Sequence, residues 1–304
     1  MAITTVKATI DGQEHTLTYS DSSGKWEATL TAPDKSSYNQ SGHYYNVSVL
    51  AADNAGNTTQ VDADTPTIGD SLRLVVKEHV KPTISITSPG EGALLTDNTP
   101  EITIQLRDDD SGINIDTLAI KIDSGEAVGN TSPGVVASPV EGGYDVTYTP
   151  QSVLSDGAHA ITVNVSDNDG NAANQATRNI TVDTVAPILN VTSPAEGLVT
   201  NQAALTVSGT TNDATSGPVT VAIILNSADQ GAVTVQSDGS FSKALTLAEG
   251  NNVIVITATD RAGKSTSVTR NVELNTTAPQ ITAVEIVPNP ADAGATYVIK
   301  VTVE

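Results

Sequence analysis

Apolar and polar residues alternate along nearly the whole chain. In HAITVNVSD, Ile161, Val163 and Val165 interleave with Thr162, Asn164 and Ser166, and NVIVITATD and LRLVVKE follow the same period of two. That period places every second side chain on one face, so each run predicts a half-buried strand. No sustained stretch carries apolar residues at i, i+3, i+4 and i+7, while Thr and Val, which suit a pleated surface, are abundant. The pattern predicts an all-β chain.

The strands recur in a fixed order, and such repetition constrains a fold more firmly than local propensity. KPTISITSPGEGALLT from Lys81 matches APILNVTSPAEGLVT from Ala186, and APQITAVEIVPNPADAG from Ala278 is a looser third copy. Pro82, Pro187 and Pro279 therefore mark module starts. A second recurring element lies between two alternating runs: DNAGN at Asp53, DNDGN at Asp167 and DRAGK at Asp260. A third is an aromatic strand after a Gly-containing turn: GKWEATL at Trp26, GGYDVTY at Tyr144 and GSFSKAL at Phe241. The spacing predicts one buried aromatic per module, with Trp26, Ala28 and Leu30 on one face and Tyr144, Val146 and Tyr148 on another.

Modules of about 90 to 105 residues, built from short strands with turn signals every 8 to 12 residues, predict immunoglobulin-like β-sandwiches. The boundaries expected are 1–80, 81–184, 185–277 and a partial module at 278–304. The Ala-Pro opening with its Thr-Ser-Pro step, together with the Asp-x-x-Gly-Asn hairpin, resembles the bacterial Ig-like (Big-type) domains. Those occur in tandem in surface adhesins and in tail-associated proteins of phages. The resemblance implies tandem sandwiches in an elongated rod, but its motifs are structural and specify no ligand.

Composition narrows the function classes. The chain of 304 residues carries 35 acidic and 14 basic residues, a formal charge of −21. Nucleic acid and anionic membrane surfaces require a basic face, so neither is an expected partner. There is no Cys, so packing alone must hold the modules. No apolar run approaches the roughly 18 residues of a membrane span, and MAITTVKATIDGQEH lacks the basic and apolar regions of a signal peptide. Either the protein is made without Sec export or it is an excised piece of something larger.

Candidate chemistry centres on the acidic turns. Asp and Asn cap their own backbone and Gly takes positive φ, so a plain hairpin corner accounts for Asp-x-x-Gly. The sharper reading is calcium, which prefers carboxylate and carbonyl oxygens. In a sandwich the loops RDDDSG and SDNDGN share one pole, so Asp108, Asp109, Asp110, Asp167 and Asp169 are candidate ligands; no other cofactor is expected. The third module offers Asp213 and Asp260 beside Arg261, which argues against a general feature. Catalysis is not expected: His15, His43, His79 and His159 show no metal-ligand spacing, and there is no Gly-x-Ser-x-Gly elbow. Five aromatics lie before residue 50, and neighbouring Tyr44 and Tyr45 must face opposite sides of a strand, one of them outward as a cross-strand partner or a contact for glycan or protein.

The function expected is a non-catalytic structural or binding rod, part of a phage tail or similar surface fibre at a virion or extracellular surface. The alternative is a fragment of an exported adhesin that binds glycan or host protein. The repeats add one expectation. VKATIDGQEHTLTYSDSSGKW aligns with VAIILNSADQGAVTVQSDGSF, the third module from its middle onward, so the first module lacks its first two strands. Residues 279–304 supply two strands of that kind, which leaves two readings: the tail of one subunit completes residues 1–80 of the next, head to tail, or the ends are simply where the chain was cut or belong to a module with its own divergent topology.

Overall fold

The computed structural model describes residues 2–304. The chain divides into two compact units, Met1–Val182 and Asp183–Glu304. Nearly every regular element is a strand, broken only by 3-10 turns between Ser37 and Leu72. Among the described residues no helix is long and apolar enough to cross a membrane.

The first unit opens with β1 (Ile3–Ile10), β2 (Gln13–Ser20), β3 (Lys25–Glu27), β4 (Tyr45–Asp53), β5 (Thr58–Val61) and β6 (Arg73–Leu74). These form a single sheet in the order β3-β2-β1-β4-β5, with β6 added to β4. The register sets Val6 opposite Leu17 and Ala51, and Ala8 opposite Val49, so one face is apolar. Val6 and Ala8 are buried, whereas Leu17, Val47 and Val49 are only half-buried. The expectation that Trp26 anchors a core here is corrected: β3 is three residues long, pairs only with β2, and leaves Leu30 exposed. With no second sheet across from it, Trp26 packs edge-on against Tyr19 on its own sheet, ring centroids 5.8 Å apart. Tyr45 is buried and its neighbour Tyr44 turns outward beneath the Arg73 guanidinium, 5.0 Å from the ring centre.

The rest of that unit is a two-layered sandwich. Its strands are β7 (Thr83–Ser88), β8 (Ala93–Leu95), β9 (Ile102–Arg107), β10 (Ile113–Ile122), β11 (Val135–Val140), β12 (Gly143–Tyr148), β13 (Gly157–Asp167) and β14 (Ala176–Val182). One sheet runs β11-β12-β9-β7 and the other β10-β13-β14-β8. Alternation fills the space between them: Ile102, Ile104 and Leu106 of one sheet meet Ile120, Ile161 and Val163 of the other, all but excluded from solvent. Each such side chain contributes about 1.5–3 kcal/mol over its exposed state. Val146 and Tyr148 join this core, and Tyr144 packs half-buried at its margin.

The second unit repeats the arrangement with β15 (Ile188–Ser193), β16 (Leu198–Thr200), β17 (Ala204–Asn212), β18 (Thr220–Leu225), β19 (Ala228–Asp229), β20 (Ser240–Thr246), β21 (Gly250–Thr259) and β22 (Ser265–Leu274). Its sheets run β15-β17-β20 and β16-β22-β21-β18-β19. Phe241 is buried as expected, and Gly209 makes room for its ring: a Cβ there would lie 2.7 Å from the ring edge. Both sandwiches pair their second strand parallel to the last, β8 with β14 and β16 with β22.

The chain closes with β23 (Ile281–Val287) and β24 (Val298–Val303), an antiparallel hairpin paired only with itself. Val284 faces Val301 and Ile286 faces Ile299 on one side, while the Glu285–Lys300 ion pair marks the other. These apolar residues are about half exposed, from 44% at Ile286 to 61% at Val284.

Candidate functional site

The same turn closes a hairpin in all three segments, joining β4 to β5, β13 to β14 and β21 to β22. In the first, Asp53 Oδ1 accepts from the backbone N–H groups of Ala55 and Asn57, Oδ2 accepts from Asn57 Nδ2, and Gly56 takes φ 85°. The Asn57 donors hold the Asp53 carboxyl below its usual pKa. In the second, Asp167 Oδ1 accepts from Asn171 N and Oδ2 from Asn171 Nδ2, both at 2.7 Å. In the third, Lys264 replaces that Asn. Its backbone N–H still reaches Asp260 Oδ1 at 2.9 Å, but nothing replaces the side-chain amide. The corner is thus a structural default, and its surroundings decide what else it becomes.

Around Asp167 those surroundings are acidic. The loop after β9 presents Asp108, whose Oδ1 accepts from the N–H groups of Asp110 and Gly112. Asn168 ties the two loops together by donating to Ser111 O and Gly112 O. Glu78, on the segment entering this sandwich, completes a trio whose nearest carboxylate oxygens lie within 4.8 Å of one another. Glu78 Oε1 accepts from Ser111 Oγ at 3.2 Å and from Asn171 Nδ2 at 3.1 Å. Burial, and then Asp167 beside it, push the Glu78 carboxyl above its ordinary pKa.

Of the five candidate ligands, the structure brings Asp108 and Asp167 together and leaves three outside. Asp109 is exposed. Asp110 accepts from Ser36 N, and its carbonyl accepts from Asn39, so it fastens the first segment to this sandwich. Asp169 Oδ2 accepts from Glu78 N and so orients the connecting segment.

The sandwich of β15–β22 carries an equivalent trio, Asp183, Asp213 and Asp260, contrary to the expectation of no comparable cluster there. The missed partner in each case was the acid on the entering segment. A signal existed: Glu78 stands four residues before Pro82 and Asp183 four before Pro187, and Asp108 and Asp213 each stand 26 after the same prolines.

The histidine most enclosed by protein serves structure. His159 Nδ1 meets Asp123 Oδ2 and Nε2 meets the Ser155 carbonyl, both at 2.7 Å. Burial alone would lower its pKa, but these two acceptors outweigh burial and raise it. Ser155 contributes its carbonyl here, so the trio of residue types is no Ser-His-Asp nucleophile.

Two sandwiches in succession, each with a parallel pair closing its second sheet, define a tandem array of Ig-like β-sandwich modules. Residues 84–184 match the bacterial Ig-like domain family, and residues 187–276 match glucodextranase, domain B. A stretch of 191 residues is 29% identical to Bacillopeptidase F of Bacillus subtilis (strain 168), covering 60% of this chain but only 12% of that protein. Among solved structures, the fibronectin(III)-like modules of Clostridium thermocellum CbhA align at a TM-score of 0.38 with 14% identity, over 64% of this chain and 94% of theirs. The immunoglobulin domains 1–4 of Sidekick-1 align at 0.37 with 10% identity, over 90% of this chain and 68% of theirs. Bacterial Ig-like domains are generally non-catalytic binding or structural modules.

Proposed function

We propose that this chain is a non-catalytic array in a surface fibre, a phage tail or comparable assembly, whose copies join end to end by strand complementation. One observation carries the reading. The single sheet of residues 3–74 corresponds to the later strands of a module, and the β23–β24 hairpin corresponds to the first layer's opening pair. In the sandwich of β7–β14 Ile84 faces Leu106 and Ile86 faces Ile104 across β7 and β9, and those side chains feed the core. Val284 with Val301 and Ile286 with Ile299 repeat that register with no second sheet beneath them. A hairpin laid on the apolar face of another copy's β1 and β4 would cover both at once, supplying in trans the opposing layer of a sandwich. A contact between two different surfaces need not close on itself and can propagate.

Light scattering against concentration tests this. The intact chain is expected to grow beyond the mass of one copy, and a chain lacking residues 279–304 to stay single. An intact chain that remains a monomer at high concentration would overturn strand complementation. A second reading is modules carried within a longer exported bacterial adhesin that binds glycan or host protein; the match to 12% of Bacillopeptidase F bears on it only in that a similar stretch occurs as a small part of a longer bacterial chain.

A further inference from the structure

The sandwich of β15–β22 holds two buried carboxylate oxygens that accept no hydrogen bond from the protein, Asp183 Oδ2 and Asp260 Oδ2. Asp183 is fully buried and Asp260 is 6% exposed. Each uses its other oxygen locally, Asp183 Oδ1 for Val185 N and Asp260 Oδ1 for Lys264 N. Asp213 is the third member; its Oδ1 accepts from Thr215 N at 2.9 Å and Ser216 N at 2.6 Å. Arg261 N donates to Ser216 O, which ties the Asp260 turn to the Asp213 loop. The three residues present oxygens within 4.8 Å of one another.

Three carboxylates at that spacing, two of them out of water, repel one another, and Asp183 Oδ2 and Asp260 Oδ2 lack the donors that buried acceptors require. Among the described residues no Lys, Arg or His forms an ion pair with any of them, Arg261 and Lys264 included. We infer that Asp183, Asp213 and Asp260 form a binding site for a divalent cation of the calcium type. Calcium–oxygen bonds of about 2.3–2.6 Å place two ligands of one ion up to about 5 Å apart, which fits this span. The donor set is all oxygen, with neither imidazole nor thiolate, and that selects a hard ion over zinc or copper. The pole at Asp167 differs in one decisive respect. Asn171 Nδ2 there donates to both Asp167 and Glu78, supplying part of what an ion would supply. Lys264 removes that amide from the sandwich of β15–β22 and leaves Asp260 Oδ2 open.

The test is hydrogen exchange on the full chain, stripped with chelator and then given millimolar calcium. Amides of residues 213–217 and 260–264 are expected to slow at least about tenfold with calcium, because an ion held only by the closed loops opposes their opening. Asp183→Asn should abolish that protection yet exchange no faster than the parent in chelator, since it removes one of the repelling charges; this separates loss of the site from loss of the fold. Lys264→Asn, which restores the amide of the other pole, should reduce the calcium effect. Exchange of these amides that calcium leaves unchanged in the parent, or protection that survives in Asp183→Asn, would overturn the site.

Discussion

The segment ending at Leu74 and the sandwich that follows it are built from the same parts. Each has a central antiparallel pair, an aromatic strand and an Asp-x-x-Gly-Asn corner locked by Asn to Asp bonds. They differ in layers. The sandwich brackets its core between two sheets, so Ile104 and Leu106 lose essentially all contact with water, while Leu17, Val47 and Val49 on the first sheet stay half-buried. A strand pattern therefore specifies which face is apolar, and only a second sheet makes that face a core.

The largest expected effect separates the two directly. Ile104→Ala should destabilise the sandwich by about 2–5 kcal/mol, since it leaves a cavity between close-packed sheets. Trp26→Ala should cost the first segment about 1 kcal/mol, the scale of one aromatic pair plus partial burial. Segment-resolved hydrogen exchange reads both, and comparable losses at the two positions would mean that the first sheet is covered after all.

A smaller effect belongs to the sandwich alone. The folded-state pKa of His159 is raised, so the pair with Asp123 contributes fully below the unfolded value near 6.5 and is lost as pH rises through the folded value. Asp123 is 46% exposed, which keeps the contribution to about 1 kcal/mol. Stability of this sandwich should decline as pH rises above about 6.5, and His159→Gln should flatten that slope. A slope unchanged in the variant would place the titrating group elsewhere.

The smallest effect belongs to the first segment. The Asp53 carboxyl is held below its usual pKa by Asn57, so its contribution is present above the unfolded value near 3.8 and disappears as pH falls through the lowered one. Protection of the β4–β5 hairpin should fall off below about pH 4, and Asn57→Ala should move that loss upward. A hairpin indifferent to pH in this range would show that the corner is held by its backbone alone.

Much of this architecture is legible in the sequence. Period two in HAITVNVSD gives β13 and its buried Ile161, Val163 and Val165, and the repeated Pro82 and Pro187 openings give two equivalent sandwiches. Phe241 was readable because a full second sheet lies across from it; Trp26 was not, because alternation states a face and is silent about what opposes it. The acidic poles were half legible. Loops that share an end of a sandwich can be paired by topology, which brought Asp108 to Asp167. Glu78 and Asp183 lie on connecting segments whose path depends on tertiary contacts such as Asp169 to Glu78 N, and no local pattern encodes that path. The run Asp108–Asp110 also shows why a cluster in sequence is a poor guide to a cluster in space: its three carboxylates go to a carboxylate trio, to solvent and to the Ser36 backbone.

The parallel pairing of β8 with β14 and of β16 with β22 has a mechanical meaning. In each sandwich the partner strands belong to opposite ends of the module, Ala93–Leu95 with Ile180–Val182 and Leu198–Thr200 with Val272–Leu274. Because the two strands run the same way, tension applied through the chain pulls them along their own length in opposite directions. The ladder is then loaded in shear, and its bonds must yield together, whereas an antiparallel pair pulled from one end opens bond by bond. Glu91 braces the first seam by accepting from Asn179 N and Nδ2, and Glu196 braces the second through Asn271 in the same way. Each complete module therefore carries, between its second strand and its last, a clasp that a stretched chain must break in shear rather than open bond by bond.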